Sequence, residues 1–433
     1  MKAILTAHNQ LQLVEQRLRE LHELAGLSTE DIVIVDNASE DGLAEWLCNQ
    51  TAYSYLICDE GIETYAKILN TAIAEFVGDE DVFCYTPDYL LVQGMLEDME
   101  RLLYSKDEIG AVSPVILENE AERTNFADGE KINKNKLELP EGNVLIKYSA
   151  YQKTGAFDER LLQSDIAMKD FLLRGVCLGY KFVECGSAYS CRLPSEMEIY
   201  LQDCNRATQR EILKKKWGMN YFNSSPNPVL MEMLKADRKQ ELFILEIGCD
   251  CGANLLEIGN RYPNARLYGV EINEEAAKIA GHIAEVRIGN IEEKKLSFEG
   301  IKFDYILFGD VLEHLRDPAA TLRYCKGFLR EEGKIVACIP NLMHYSVMRE
   351  LLNGNFTYSD IGLLDRTHIH FFTFKEIVRM FTQEGYGMET VGIRASDMSL
   401  EDESFVDKLM DISGDVEKFM FCAIQYAVVA VAK

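Results

Sequence analysis

Short apolar runs alternate along the chain with longer stretches whose apolar positions recur every three to four residues. That alternation is the trace of β-α-β units around a mostly parallel sheet. In the first half, runs at 3–5, 32–35, 55–57 and 82–85 predict strands, and the amphipathic stretches 11–24, 43–48 and 64–76 predict helices. Asp41-Gly42 supplies a turn and a helix start. Periodicity breaks over Trp217-Gly218-Met219-Asn220-Tyr221-Phe222-Asn223-Ser224-Ser225-Pro226-Asn227-Pro228, a run rich in turn formers. It restarts at 243–247, 267–272, 284–288, 304–308 and 334–339, then 390–393 and 422–431, the strands of a second open sheet. The pattern predicts an α/β protein of two domains that meet near residue 220. The halves share a rhythm but no motif, so no internal repeat is expected.

Composition agrees and narrows the partners. A chain of 433 residues with 47% hydrophobic and 27% charged side chains has the length of two or three domains and the mixture of a globular protein. Seventy-one acidic against 45 basic residues give a net charge of −26, which repels nucleic acid and anionic membrane surfaces. The dense basic run Lys214-Lys215-Lys216 reads as a solvated helix end. Twelve cysteines without a C-x-x-C pair suit free thiols in a reducing cytoplasm. The apolar run at the N-terminus is too short for a signal peptide, and no stretch of about 18 uninterrupted apolar residues predicts a transmembrane segment.

The strongest chemical signal is Leu245-Glu246-Ile247-Gly248-Cys249-Asp250-Cys251-Gly252-Ala253-Asn254, a strand entering a glycine turn and then a helix. Glycines there let a ligand approach the backbone. In Val270-Glu271-Ile272-Asn273 an acidic residue ends the next strand, placed to accept from ribose hydroxyls. A reductase using a nicotinamide dinucleotide would need G-x-G-x-x-G, which Gly248 to Ala253 does not supply. With Gly289-Asn290-Ile291-Glu292 and the strand-four run from Phe303 through Asp310 to Leu315, residues 221 to 433 resemble class I S-adenosylmethionine-dependent methyltransferases of Rossmann-like, seven-stranded fold. A late segment, Leu364-Asp365-Arg366-Thr367-His368-Ile369-His370-Phe371-Phe372-Thr373, looks like one found in bacterial methyltransferases encoded with glycan genes. The resemblance implies that Glu246, Gly248 and Gly252 shape the methionine pocket, Glu271 holds the ribose, and Asn290 with Ile291 flanks the adenine. Asp310 would lie near the amino-acid end of the cofactor. Asp250 stands where the family's middle glycine is usual, which implies weaker cofactor binding.

Methyl transfer to a sugar hydroxyl needs a base near pH 7, and histidine suits it. His314 follows strand four, and His368 and His370 come from the segment expected to cover the pocket; packed or capping histidines are the plainer reading of each. Asp365, His368 and His370 also have the residue types of a metal site, since H-x-H puts two imidazoles on one strand face. No third strong ligand cluster accompanies them in the sequence.

In the first half, Ile32-Val33-Ile34-Val35-Asp36-Asn37 is an apolar strand ending in a carboxylate, where open α/β sheets bind ligands. Together with Thr6-Ala7-His8-Asn9, Tyr65-Ala66-Lys67-Ile68-Leu69-Asn70, Cys84-Tyr85-Thr86-Pro87-Asp88, Gly155-Ala156-Phe157-Asp158-Glu159-Arg160 and Asp170-Phe171-Leu172-Leu173-Arg174, it resembles the family 2 glycosyltransferases of the GT-A fold over residues 1 to 217. The likeness implies that Asn9 and Asp36 contact a donor nucleotide and that Asp88 is the carboxylate of a DxD motif binding Mn2+ or Mg2+. Thr86 holds the leading position of that motif. Ala167-Met168 stands where the family has an acidic pair, so the base would be Asp165 or Asp170, with Asp170 alternatively a structural acid. The polar loop 118–142 has the length of a mobile acceptor loop or of a plain surface excursion.

The expected organisation is therefore a GT-A-like domain at 1–217, a linker and entry helix at 218–240, and a methyltransferase domain at 241–433. One function is a bifunctional enzyme that adds a sugar from a nucleotide-sugar to a glycan or glycoconjugate acceptor and methylates a sugar hydroxyl. Tethering the sites would raise the effective concentration of the shared intermediate. Another is a methyltransferase whose first domain is an inactive glycan- or partner-binding module, and a third, blander still, is a binding protein with neither activity.

Overall fold

The computed structural model describes residues 1–58, 61, 63–118, 122–123, 125–126, 129–193, 206–218, 223–296, 298 and 300–433. The chain divides into two compact units, Met1–Ser225 and Pro226–Lys433. The expected boundary at residue 220, with positions 219–222 of the expected linker, and parts of the 118–142 loop lie outside the described residues.

In the first unit, β1 (Lys2–Ala7), β2 (Ile32–Asp36), β3 (Ser54–Ile57) and β4 (Val82–Tyr85) are the strands expected from the apolar runs. They are joined by β5 (Ile109–Leu117), β6 (Lys134–Lys136), β7 (Asn143–Ile146) and β8 (Lys181–Cys191). The eight form one sheet among the described residues, in the order β3-β2-β1-β4-β7-β5-β8-β6. Strand β1 runs parallel to β2 and β4, with Ala3 opposite Ile32 and Phe83. Residues 32–36 and 82–85 are buried throughout, as central strands covered on both faces require. Beyond β4 the sheet is mixed, because β7 is antiparallel to both β4 and β5. The second half of this sheet escapes the hydrophobic pattern for physical reasons. Lys134–Lys136 is entirely polar, and β5 and β8 carry Pro114 and Gly186 within their runs, so cross-strand pairing and not local preference makes them strands.

The second unit contains β9 (Phe243–Ile247), β10 (Arg266–Glu271), β11 (Glu285–Ile288), β12 (Phe303–Gly309), β13 (Leu329–Pro340), β14 (Tyr386–Ala395) and β15 (Ala423–Ala432). Their order is β11-β10-β9-β12-β13-β15-β14, with β15 antiparallel between β13 and β14. Side chains of alternate residues of β9 enter different cores: Leu245 and Ile247 pack with Ile306 and Phe308, whereas Ile244 packs with Tyr305 and Leu307. The register sets Ile247 beside Val270 and Phe308, so Gly248, Glu271 and Asp310 emerge along one edge. That is the carboxyl edge where ligands of open α/β sheets sit. No helix among the described residues is long and apolar enough to cross a membrane.

Candidate functional site

At the carboxyl edge of the second sheet, the turn after β9 is built on left-handed backbone. Gly248 has φ +70°, and a Cβ there would stand 2.7 Å from Val311 Cγ2. Gly252, at φ +87°, precedes the helix Ala253–Arg261, and its Cβ would meet Ile283 at 3.1 Å. Asp250, in the position expected to be glycine, also has a positive φ, 48°. Aspartate is among the few residues that visit this region without glycine's freedom.

Glu271 organises the turn from the neighbouring strand. Its Oε2 accepts the Asp250 backbone N–H at 2.8 Å and its Oε1 accepts that of Asn273, also at 2.8 Å. Glu246 is 1% exposed; its Oε1 accepts from Asn254 Nδ2 at 2.6 Å, while Oε2 is buried with no partner. Burial in this uncompensated site pushes its carboxyl up to about 8. Burial, then the Glu271 charge, raises Asp250 to about 6. Cys249 and Cys251 are buried loop fillers whose thiols are pushed far up by desolvation.

Asp310 follows β12 at φ +58° and accepts from Gln425 Nε2 of β15 and, at 3.3 Å, from Asn227 Nδ2. Burial raises its pKa. Asn290 caps the turn Ile291–Glu293 by accepting from the Glu292 N–H at 2.9 Å, and Ile291 packs into the core beside Phe298 and Phe303.

The histidines are brought together only in part. His314 and His368 meet edge-on with ring centroids 4.8 Å apart, whereas His370 bonds through Nε2 to the Arg316 carbonyl. Asp365 is engaged locally, accepting from both the N–H and the hydroxyl of Thr367. Sequence reasoning missed Glu313, a buried carboxylate neither of whose oxygens has a partner. Its only sequence signal is adjacency to His314.

In the first unit, a cavity of about 400 Å³ opens beside the ends of β1, β2 and β4 and is lined in part by Thr6, Asn37, Thr86, Asp88, Glu141 and Asp165. Asp88 accepts from Gln10 Nε2 at 2.7 Å. Asp165 is exposed and lies 3.7 Å from Lys169 Nζ. Asp36 is fully buried and does not line the cavity, with Oδ1 accepting the Ser39 N–H at 3.1 Å and Oδ2 without a partner. Asn37, the next residue, is the one that lines the cavity. Asn9, at φ 53°, ties the β1 and β2 loops together, accepting the Glu40 N–H and donating its own N–H to Ser39 Oγ.

Asp170 does not line the cavity. It is fully buried in the helix Ser164–Cys177, where it accepts from Trp217 Nε1 at 2.9 Å, from Lys216 Nζ at 2.8 Å and from Arg174 Nε at 2.9 Å. The expectation of a solvated lysine run is corrected here for Lys216, which pairs with Asp170 and Asp158 while Lys214 and Lys215 stay exposed. Burial of Asp170 demands a counter-charge that a distant helix supplies. Glu141 and Arg192, also on the cavity wall, carry no motif that would have singled them out.

Residues 221–391 match the family model described as a methyltransferase domain. Among curated relatives, the ubiquinone biosynthesis O-methyltransferase of Glaesserella parasuis is 24% identical over 204 residues, covering 42% of this chain and 85% of that protein. The corresponding protein of Xanthomonas axonopodis is 27% identical over 117 residues, 25% of this chain and 48% of its own length. Among solved structures, the YcgJ protein from Bacillus subtilis is 16% identical, covering 47% of this chain and 98% of that one at a TM-score of 0.33. The family match, lying almost wholly in the second unit, supports an S-adenosylmethionine-dependent methyltransferase there.

Proposed function

We propose that the chain is a two-site transferase that methylates a hydroxyl of a glycan in its second unit and binds a nucleotide-sugar in its first. The observation that carries the first part is the glycine turn beside Glu246 and Glu271. It offers a cradle that admits no Cβ at Gly248 and a buried carboxyl with one unpartnered oxygen, which fits a ligand bearing a cationic amino-acid end and a ribose. Glu246, Gly248, Asp250, Gly252 and Asp310 surround the amino-acid end, Glu271 accepts from the ribose hydroxyls, and Asn290 and Ile291 flank the adenine.

S-adenosylmethionine supplies an electrophilic methyl carbon, so the acceptor oxygen forms the new O–CH3 bond as the C–S bond breaks and S-adenosylhomocysteine leaves. The chain's part is to hold the acceptor in line and promote loss of its proton, and positioning supplies much of the rate. His314 and His368 are the groups proposed to govern that proton. An oxygen acceptor is favoured by the name O-methyltransferase borne by relatives of this unit; that the oxygen belongs to a sugar rests on the likeness of the 364–373 segment and on the cavity of the first unit.

For the first unit, the reading is supported by the parallel strands β3-β2-β1-β4 ending at a polar cavity. Asp88 would hold Mn2+ or Mg2+ against a donor diphosphate, Asn9 and Asn37 would meet the nucleotide while the buried Asp36 braces the loop that carries Asn37 through the Ser39 N–H, and Asp165 would serve as base for the acceptor. Asp170, held by two cations and an indole, is the structural acid.

Calorimetric titration with S-adenosylhomocysteine, and separately with UDP, dTDP, GDP and CMP with and without manganese, tests both parts. Binding of S-adenosylhomocysteine that Glu271→Ala abolishes is expected; unchanged affinity in that variant sinks the ribose assignment. Manganese-dependent binding of one nucleotide is expected of the first unit, and no binding by any leaves that unit a recognition module.

A further inference from the structure

We infer that Glu313, His314 and His368 form a binding site for one divalent transition-metal ion, of the zinc class, at the carboxyl edge of β12. The sequence scatters these ligands, since the first two follow β12 and the third lies in the segment 364–373. The fold gathers one ligand atom from each within 4.8 Å of the others. Backbone bonds from the Ile369 and His370 N–H groups to the Glu313 carbonyl, at 2.9 and 3.0 Å, fasten the late segment against the turn that carries Glu313 and His314.

Three features separate this cluster from an accidental grouping. Glu313 is 1% exposed and neither carboxylate oxygen has a hydrogen-bond partner, a costly state that a bound cation would relieve. Both imidazoles have carbonyls beside Nδ1, which fixes the tautomer. His314 Nδ1 lies 3.2 Å from the Thr367 carbonyl and His368 Nδ1 lies 3.3 Å from the Leu363 carbonyl. A carbonyl only accepts, so each Nδ1 carries the proton and each Nε2 keeps the lone pair that binds a metal. Third, the Thr367 hydroxyl donates to Asp365 Oδ1 and lies 3.3 Å from His314 Nδ1, so a carboxylate backs the ligand shell in the way that orients metal-bound histidines.

Two imidazoles and one carboxylate leave coordination positions open, the composition of a catalytic and not a structural site. Ligand atoms of a tetrahedral zinc bonded at about 2.0–2.1 Å lie roughly 3.3 Å apart, so seating the ion requires the cluster to close slightly. In the setting of the proposed methyl transfer, on which this role rests, the open position takes the acceptor hydroxyl. Coordination lowers the hydroxyl's pKa, its proton leaves to solvent, and the alkoxide attacks the methyl carbon. The two histidines then act as ligands and not as the base.

The test is direct metal binding by the full chain. Metal-stripped protein is dialysed against Zn2+ and, separately, titrated with Co2+ while the visible spectrum is recorded. One Zn2+ per chain and a Co2+ spectrum of nitrogen–oxygen ligation are expected, with affinity falling at least tenfold in both Glu313→Gln and His368→Gln. Affinity for S-adenosylhomocysteine in Glu313→Gln serves as the check that the unit is folded. A thiolate-to-cobalt charge-transfer band, equal Co2+ affinity in the two variants, or no stoichiometric binding overturns the proposal. If Co2+ binds as expected but S-adenosylhomocysteine does not bind the wild-type chain, the metal site stands and the methyl-transfer reading fails. If methyl transfer proceeds undiminished in metal-stripped protein that still binds Co2+, the site stands without the role in activating the acceptor.

Discussion

Asp170 in the first unit and Glu246 in the second are both carboxyls sealed from solvent, at 0% and 1% exposure, yet their surroundings are opposite. Asp170 is held by Arg174 and Lys216 and by the Trp217 indole. Glu246 has one amide, from Asn254, and an oxygen facing no donor. A buried acid that is fully paired is finished structure, whereas one left short of donors is set for a ligand that brings the missing positive charge. The comparison assigns roles that a motif alone leaves open. In the first unit the aspartates on the cavity wall are Asp88 and Asp165, and not the acid that begins the recognisable motif.

Removing the paired acid should have the largest effect. Asp170→Ala leaves Lys216 and Arg174 facing one another without their shared counter-charge, and should destabilise the first unit by about 4 kcal/mol. Trp46 and Trp217 are the two tryptophans of the chain and both lie in the first unit, so indole fluorescence during urea unfolding reads this unit alone. A loss below about 1 kcal/mol would break the comparison.

The unpaired acid should behave in the opposite sense. Glu246 is raised from an ordinary value of 4.5 to about 8, so its neutral form is the one that suits the fold. The stability this contributes is complete below pH 4.5 and is lost as pH rises through 8. Glu246→Gln removes that dependence, and without ligand the variant should gain on the wild type with rising pH, by an amount on the order of 3 kcal/mol near pH 7. The measurement is hydrogen exchange of β9 peptides across pH, and parallel profiles for the two proteins would remove the contrast with Asp170.

Smaller effects sharpen the picture within the glycine turn. Gly248→Ala places a Cβ against Val311 on left-handed backbone and should cost roughly 2 kcal/mol of S-adenosylhomocysteine affinity, about 30-fold by calorimetry. Asp250→Gly restores the residue best suited to φ 48° and removes a carboxylate beside Glu271. It should tighten S-adenosylhomocysteine about 3- to 10-fold, or roughly 1 kcal/mol, and unchanged affinity would mean that the side chain does not face the ligand. The smallest change belongs to Asp165→Asn, an exposed cavity acid, whose stability should stay within about 0.5 kcal/mol by the same urea unfolding.

Legibility followed locality. The strands at 32–35 and 82–85 were readable because each is an uninterrupted apolar run, and 243–247 because four of its five residues are apolar around Glu246; the structure contains Ile32–Asp36, Val82–Tyr85 and Phe243–Ile247. The turn holding Gly248 and Gly252 was readable because positive φ leaves its mark in the residue itself. Strand β6 was not, since Lys-Asn-Lys has no apolar member and is a strand only through its pairing with Phe182, Val183 and Glu184 of β8. Glu141 and Arg192 were likewise invisible, each being an ordinary charged residue that the fold turns toward a cavity.

By itself, the sequence determined the α/β class, the positions of the central strands and the glycine turn with Glu271 across from it, because these depend on periodicity and backbone conformation encoded over short spans. Tertiary structure alone decided which acids are paired and which are not. Asp170 meets Lys216 across 46 residues and Glu313 meets His368 across 55. Whether a buried charge is neutralised depends on the elements packed around it and on the water they exclude, and those are properties of the assembled fold.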